Sequence, residues 1–113
     1  MQHRFVSTTL LMLALAGCSR PAVVTIANRS PVTITNVVVS GSGFSKRIER
    51  IPPDSELELS VRPQGKSGIR ISFDASGPHI APREQGYFES GYRVKVTIEP
   101  DLQVLVASDV PAS

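Results

Sequence analysis

The sequence predicts an all-β domain, a small antiparallel β-sandwich of about seven strands. Three observations predict it. A chain of 113 residues builds one hydrophobic core and not two. Apolar residues recur at every second position through most of the chain, the spacing that turns one strand face to a core and the other to water. Clusters of Gly, Pro, Ser and Asp fall between these stretches at short intervals, and no segment after residue 18 keeps a 3.6-residue period.

The first two candidate strands, residues 23–28 and 32–40, are rich in Val, Ile and Thr. Their weaker alternation suggests strands covered on both sides or touched at an edge. Arg29-Ser30-Pro31 separates them. After the Gly41-Ser42-Gly43 turn, residues 44–51 form a third candidate through Phe44, Ile48 and Ile51. Past Pro52-Pro53-Asp54 comes the clearest pattern, with Leu57, Leu59 and Val61 alternating against Glu56, Glu58, Ser60 and Arg62. Pro63-Gln64-Gly65 then leads to Ile69, Ile71 and Phe73, which alternate with Arg70, Ser72 and Asp74. Tyr92, Val94, Val96 and Ile98 alternate with Arg93, Lys95, Thr97 and Glu99, and residues 102–107 return as a hairpin through Glu99-Pro100-Asp101.

In size and strand rhythm this domain resembles immunoglobulin and fibronectin type III sandwiches. With one Cys and no Trp, the Cys…Trp…Cys signature of true immunoglobulin domains is absent. The resemblance therefore implies architecture alone, and a small β-barrel is the alternative.

The first seventeen residues read as a leader. Arg4 supplies a positive start, and Phe5 to Gly17 is an uncharged, mostly apolar run. It is shorter than the roughly 20 residues that a membrane-spanning helix needs. Leu15-Ala16-Gly17-Cys18 resembles the lipobox of bacterial lipoproteins. In that family the Cys thiol receives a diacylglycerol, the leader is cut before it, and the new amine is acylated. The resemblance implies a lipidated, palmitate-bearing Cys18, the chain's one cysteine. Ser19 follows where Asp resembles an inner-membrane retention signal, which implies the outer membrane, facing the periplasm, in a two-membrane source. The domain organisation expected is a signal peptide at 1–17, the lipidated Cys and a short tether at 18–22, the sandwich at 23–109 and a tail at 110–113. Only four residues separate Cys18 from a strand beginning near Val23, and they reach at most about 14 Å. The domain is expected to sit against its membrane, beside membrane-proximal partners.

The charge balance argues against a nucleic-acid partner. Twelve Lys and Arg face ten Asp and Glu. Arg4 leaves with the leader, so the pI near 9.0 overstates the basic character of the rest. His79 is the one His after the leader, too few ligands for a zinc site. No cofactor and no metal are expected. Gly65-Lys66-Ser67 lacks the first Gly of a phosphate-binding loop and reads as a hairpin turn. Asn28-Arg29-Ser30 matches a glycosylation sequon, a short pattern that a bacterial leader makes irrelevant. A hydrolase would have to use Asp74, His79 and Glu84, which share one loop. Glu58 and Arg70 read as a cross-strand pair on the outer faces of adjacent strands. Arg70, Arg93 and Lys95 read either as solvated charges or as a basic strip, and Lys46, Arg47 and Arg50 likewise.

Residues 74–91 form the longest stretch without alternation, and long loops in compact domains are often binding elements. Tyr87, Phe88 and Tyr92 fall in or beside it. Aromatics and Arg anchor interfaces, so Arg83, Tyr87 and Phe88 are the candidate partner contacts. The competing reading packs the Tyr87-Phe88 pair into the sandwich, with one ring in and one out as the compromise. The function expected is a non-enzymatic interaction domain on a lipid anchor, part of an envelope assembly. The alternative is a binding module for an envelope glycan or lipid.

Overall fold

A computed structural model of the chain describes residues 20–110. The leader, Cys18 and the last three residues lie outside the described residues, and so do the expectations that rest on them. Among the described residues nine strands form two packed sheets: β1 Ala22–Asn28, β2 Ile34–Gly41, β3 Phe44–Ile51, β4 Ser55–Val61, β5 Ser67–Ala75, β6 His79–Ile80, β7 Gln85–Phe88, β8 Arg93–Ile98 and β9 Val104–Asp109. The first sheet has the order β4-β1-β8-β9, and the second runs β3-β2-β5 with β6 and β7 both along the outer edge of β5. The all-β sandwich is the expected fold. Its seven expected strands are all present, and two short ones are added. All pairings are antiparallel except β1 with β8. A parallel pair needs a long crossover, and here it runs through the whole second sheet and β4.

The core lies where the two sheets face each other. Val24 and Ile26 of β1, Val94, Val96 and Ile98 of β8, and Val61 of β4 meet Ile34, Val37 and Val39 of β2 and Ile69, Ile71 and Phe73 of β5. Among the described residues, every core side chain falls between Ala22 and Val104.

The weak alternation of residues 32–40 has a local cause. The β2–β5 register slips between Thr35 and Val38, and Asn36 takes a left-handed φ of 50°. This bulge makes the inward residues Ile34, Val37 and Val39 run at spacings of three and two. Strand β3 repeats the step, pairing Ile51 with Ile34 and Ile48 with Val37.

Several neighbour assignments differ from the sequence reading. The link after β4 crosses from the first sheet to the second, so Gly65-Lys66-Ser67 is not a hairpin turn. Glu58 and Arg70 consequently sit in different sheets and cannot form a cross-strand pair. Arg70 is likewise parted from Arg93 and Lys95, which breaks the proposed basic strip. Lys95 Nζ instead lies 3.5 Å from Glu56 Oε2 across the outer face of the first sheet.

Asn28 ties the two sheets together at the end of β1. Its amide nitrogen donates to the carbonyls of Val32 and Ile51, each at 2.9 Å, and its oxygen accepts from Ser30 N at 3.0 Å and Ser30 Oγ at 2.7 Å. The side chain is fully buried, so the apparent sequon is a structural joint with no free amide.

Candidate functional site

The segment expected as a long loop returns along β5 as an interrupted edge. β6 pairs with the far half of β5, Phe73 with Ile80 and Asp74 with His79. β7 pairs with the near half, Ser67 with Phe88 and Ile69 with Gln85. The sequence hides this strand for physical reasons. Pro78 and Pro82 cannot donate to a ladder, and Ser76, Gly77 and Gly86 adopt positive φ.

Strand alternation divides the aromatic pair. Phe88 points inward, is 1% exposed and packs edge-on against Phe44 with ring centroids 6.0 Å apart. It belongs to the core and is withdrawn as a partner contact, because a fully buried ring offers no surface. Tyr87 points outward and is 45% exposed. Its ring meets Tyr92 edge-on at 6.1 Å, and its hydroxyl donates to the Glu89 carboxylate. That hydrogen bond pushes the Tyr87 phenol up to about 12, with desolvation adding to the effect. Ionisation would remove the donated proton and set two anions together. Arg83 is exposed on the link between β6 and β7. Of the three candidates, Arg83 and Tyr87 are available to a partner. Tyr87 is a rigid amphipathic ring held in place by Tyr92 and Glu89.

The structure brings together two of the three residues that a hydrolase would need. His79 Nδ1 lies 2.7 Å from Asp74 Oδ1, and Asn36 Nδ2 donates to Asp74 Oδ2 at 2.9 Å. The Asn36 hydrogen bond, and then that of His79, hold the Asp74 carboxyl below its ordinary range. Glu84 does not join them, since its side chain folds over Gly68. The cluster stands on an exposed strand end, where a carboxylate can orient an imidazole. Among the described residues no Ser or Thr hydroxyl bonds to that imidazole. No three His, Cys, Asp or Glu side chains among the described residues gather as a metal site.

Lys46, which the sequence offers as a solvated charge or as part of a basic strip, is exposed. It pairs with Val39, a fully buried inward residue, and so occupies an inward-facing position on β3. The signal was present in the shared parity of Phe44, Lys46 and Ile48.

No protein-family model and no curated protein matches the chain. Among solved structures, the chain is similar to a protein from Eubacterium rectale determined by NMR. The TM-score is 0.60 at 13% identity, with 81% of this chain and 91% of that chain covered. At that identity the likeness shows a shared fold and nothing further.

Proposed function

We propose that this chain is a lipid-anchored envelope protein whose β-sandwich is a non-enzymatic interaction domain, docking a membrane-proximal protein through Arg83 and Tyr87. The observation that carries the reading is how early the fold begins. Gly91 N donates to Pro21 O at 3.2 Å and Val23 N to Tyr92 O at 3.0 Å. Pro21 is thus already held by the domain, three residues after the lipobox cysteine. A lipid on Cys18 would keep the sandwich within about 11 Å of its membrane. Two or three acyl chains make such an anchor lasting. The exposed Tyr87, braced by Tyr92 and Glu89, supports an interface role, because a ring already fixed in place loses little entropy on docking. The open Asp74–His79 pair supports a structural role over a catalytic one.

Metabolic labelling with palmitate tests the anchor. The wild-type chain is expected to take the label and a Cys18→Ala variant to lose it. In-cell photo-crosslinking tests the interface, with the probe at Arg83 or Tyr87 and a control at Glu58 on the outer face of the first sheet. A discrete protein adduct at the first two sites and not at Glu58 is expected. An absence of protein adducts at Arg83 and Tyr87 would overturn the docking role.

A further inference from the structure

The free edges of β3 and β4 lie side by side without joining the two sheets. Between them runs a groove of about 530 Å³, lined by Pro21, Phe44, Ser45, Lys46, Ser60 and Arg62 with Gly43 at its rim. Its chemistry is two cationic side chains, two hydroxyls and an aromatic ring. Its end wall is fixed. Ser42 N donates to Ser67 Oγ at 2.9 Å, Ser42 Oγ to Gln64 O at 2.9 Å and Gln64 N to Ser42 O at 2.9 Å. These bonds bolt the β2–β3 turn to the β4–β5 link.

The groove opens at the end of the sandwich where the chain enters. Pro21 lines it, and the next strand positions pair Ala22 with Val61 and Val23 with Arg93. The acidic side chains Asp54, Glu56, Glu99 and Asp101 belong to the opposite end, beside Asn28 and Ile98. At the entry end Asp109 stands opposite Arg93, Glu89 accepts from Tyr87 and Glu84 lies over Gly68, while Glu58 sits further along β4; none of these acids lines the groove. Lys46 and Arg62 are the charged side chains that line the groove at the entry end.

We infer that the groove between β3 and β4 seats the phosphate of an anionic phospholipid headgroup, with Lys46 and Arg62 as its cationic contacts. The inference rests on the anchored reading above. Three residues reach about 11 Å from Cys18 to Pro21, while the headgroup layer on each side of a bilayer is about 5–8 Å thick. A lipid on Cys18 therefore sets the groove at the level of neighbouring headgroups. Ser45 and Ser60 can donate to phosphate oxygens, and Lys46 and Arg62 match their charge. Seating a headgroup there fixes the rotation of the domain about its tether. The seam between β7 and β9, which carries Tyr87, then faces away from the groove and toward the partner.

The test uses residues 18–113 with Cys18→Ser, so that no acyl chain contributes. Binding is measured to vesicles of pure phosphatidylcholine and to equimolar phosphatidylcholine and phosphatidylglycerol. Binding to the anionic vesicles alone is expected. Lys46→Gln should weaken it about fivefold, the effect of one basic group at an anionic surface. Arg47→Gln, one residue along on the outer face of the second sheet, should weaken it less than twofold. Amide shifts induced by a short-chain phosphatidylglycerol should cluster at Gly43 to Lys46 and Ser60 to Arg62. Equal losses for Lys46→Gln and Arg47→Gln would mean diffuse attraction and overturn the site. Equal shifts from inorganic phosphate alone would overturn the lipid as its ligand. Should palmitate label Cys18 while the anionic vesicles fail to bind, the anchor stands and the groove inference falls.

Discussion

Replacing Asn28 with Ala should be among the most damaging single changes in the domain. The amide satisfies the Ile51 carbonyl and Ser30 N–H in buried surroundings, and the Val32 carbonyl at the edge of them. Ser30 Oγ retains a second partner in Val32 O at 3.1 Å. Truncation to Ala therefore leaves two buried backbone groups unpaired, each at a cost of about 1–3 kcal/mol. Partial entry of water brings the sum to about 3 kcal/mol, a large share of the 5–15 kcal/mol typical of a folded domain. For a domain of this size, with a urea slope of about 1–1.5 kcal/mol per molar, the unfolding midpoint should fall by about 2–3 M. Asn28→Asp separates the donors from the acceptor. It keeps an oxygen for Ser30 but turns a carboxylate oxygen toward two carbonyls, so its midpoint should fall at least as far. A midpoint within about 0.5 M of wild type for either variant would refute the joint between the sheets.

The remaining predictions concern packing and titration. Gly41→Ala would place a methyl 2.5 Å from Ser67 Oγ and 2.6 Å from the Phe44 ring, so it should cost about 1–3 kcal/mol in thermal unfolding and disperse the Phe44–Phe88 ring-current shifts. The chain has two Tyr, which makes alkaline absorbance a clean probe: Tyr87 should ionise near 12, and Glu89→Ala should bring it down toward 10. Because the folded value is raised, the Tyr87–Glu89 contact stabilises the fold below pH 10 and is lost as pH climbs through about 12. Asp74 has the opposite sign: its contribution is present above about 3.8 and fades as pH falls through the lowered folded value. A carboxyl titration by NMR should show that value rising in Asn36→Ala, and an unchanged midpoint would remove Asn36 as the main cause.

Alternation told which face of a strand is buried, and the structure agrees along β4, β5 and β8, where Leu59, Ile71 and Val96 all turn inward. It could not tell which strands are neighbours. Glu58 and Arg70 have the right parity for a pair, yet their strands lie in different sheets. The parallel contact of β1 with β8 joins residues some seventy positions apart, such as Val24 and Val94, and leaves no local trace. A bulge erased the period where it mattered for β2, because one added residue at Asn36 reverses the parity of all that follows. Strand β7 is obscured by its own Gly86 and by Pro82 just before it. Tyr87 and Phe88 nevertheless divide as adjacent strand residues must, one ring out and one in. Lys46 answers to both chemistry and pattern: its charge points to solvent, where it is exposed, and its shared parity with Phe44 and Ile48 sets it on the inner face of β3.

Lys46 lies at the more open of the two seams of the sandwich. At the β7–β9 seam the sheets close tightly. Gly86 sits so near β9 that a Cβ there would meet Val106 Cγ1 at 2.8 Å, and its φ of 72° suits glycine. At the β3–β4 seam the equivalent closure would need an apolar residue at position 46, packed with the half-buried Leu57 and Leu59. The Lys46 ammonium is exposed there, and closing the seam over it would strip its hydration. A charge pointing inward on an edge strand also blocks the addition of a foreign strand, as do Arg47, Glu49 and Arg50, exposed on the same strand. One side chain therefore protects the edge and lines the groove. If edge protection were its whole role, any charge would serve, and Lys46→Glu would fold and bind anionic vesicles as well as Arg47→Glu, which reverses the same charge on the outer face. A groove that seats a phosphate requires the positive sign, and Lys46→Glu would fold as well but lose that binding.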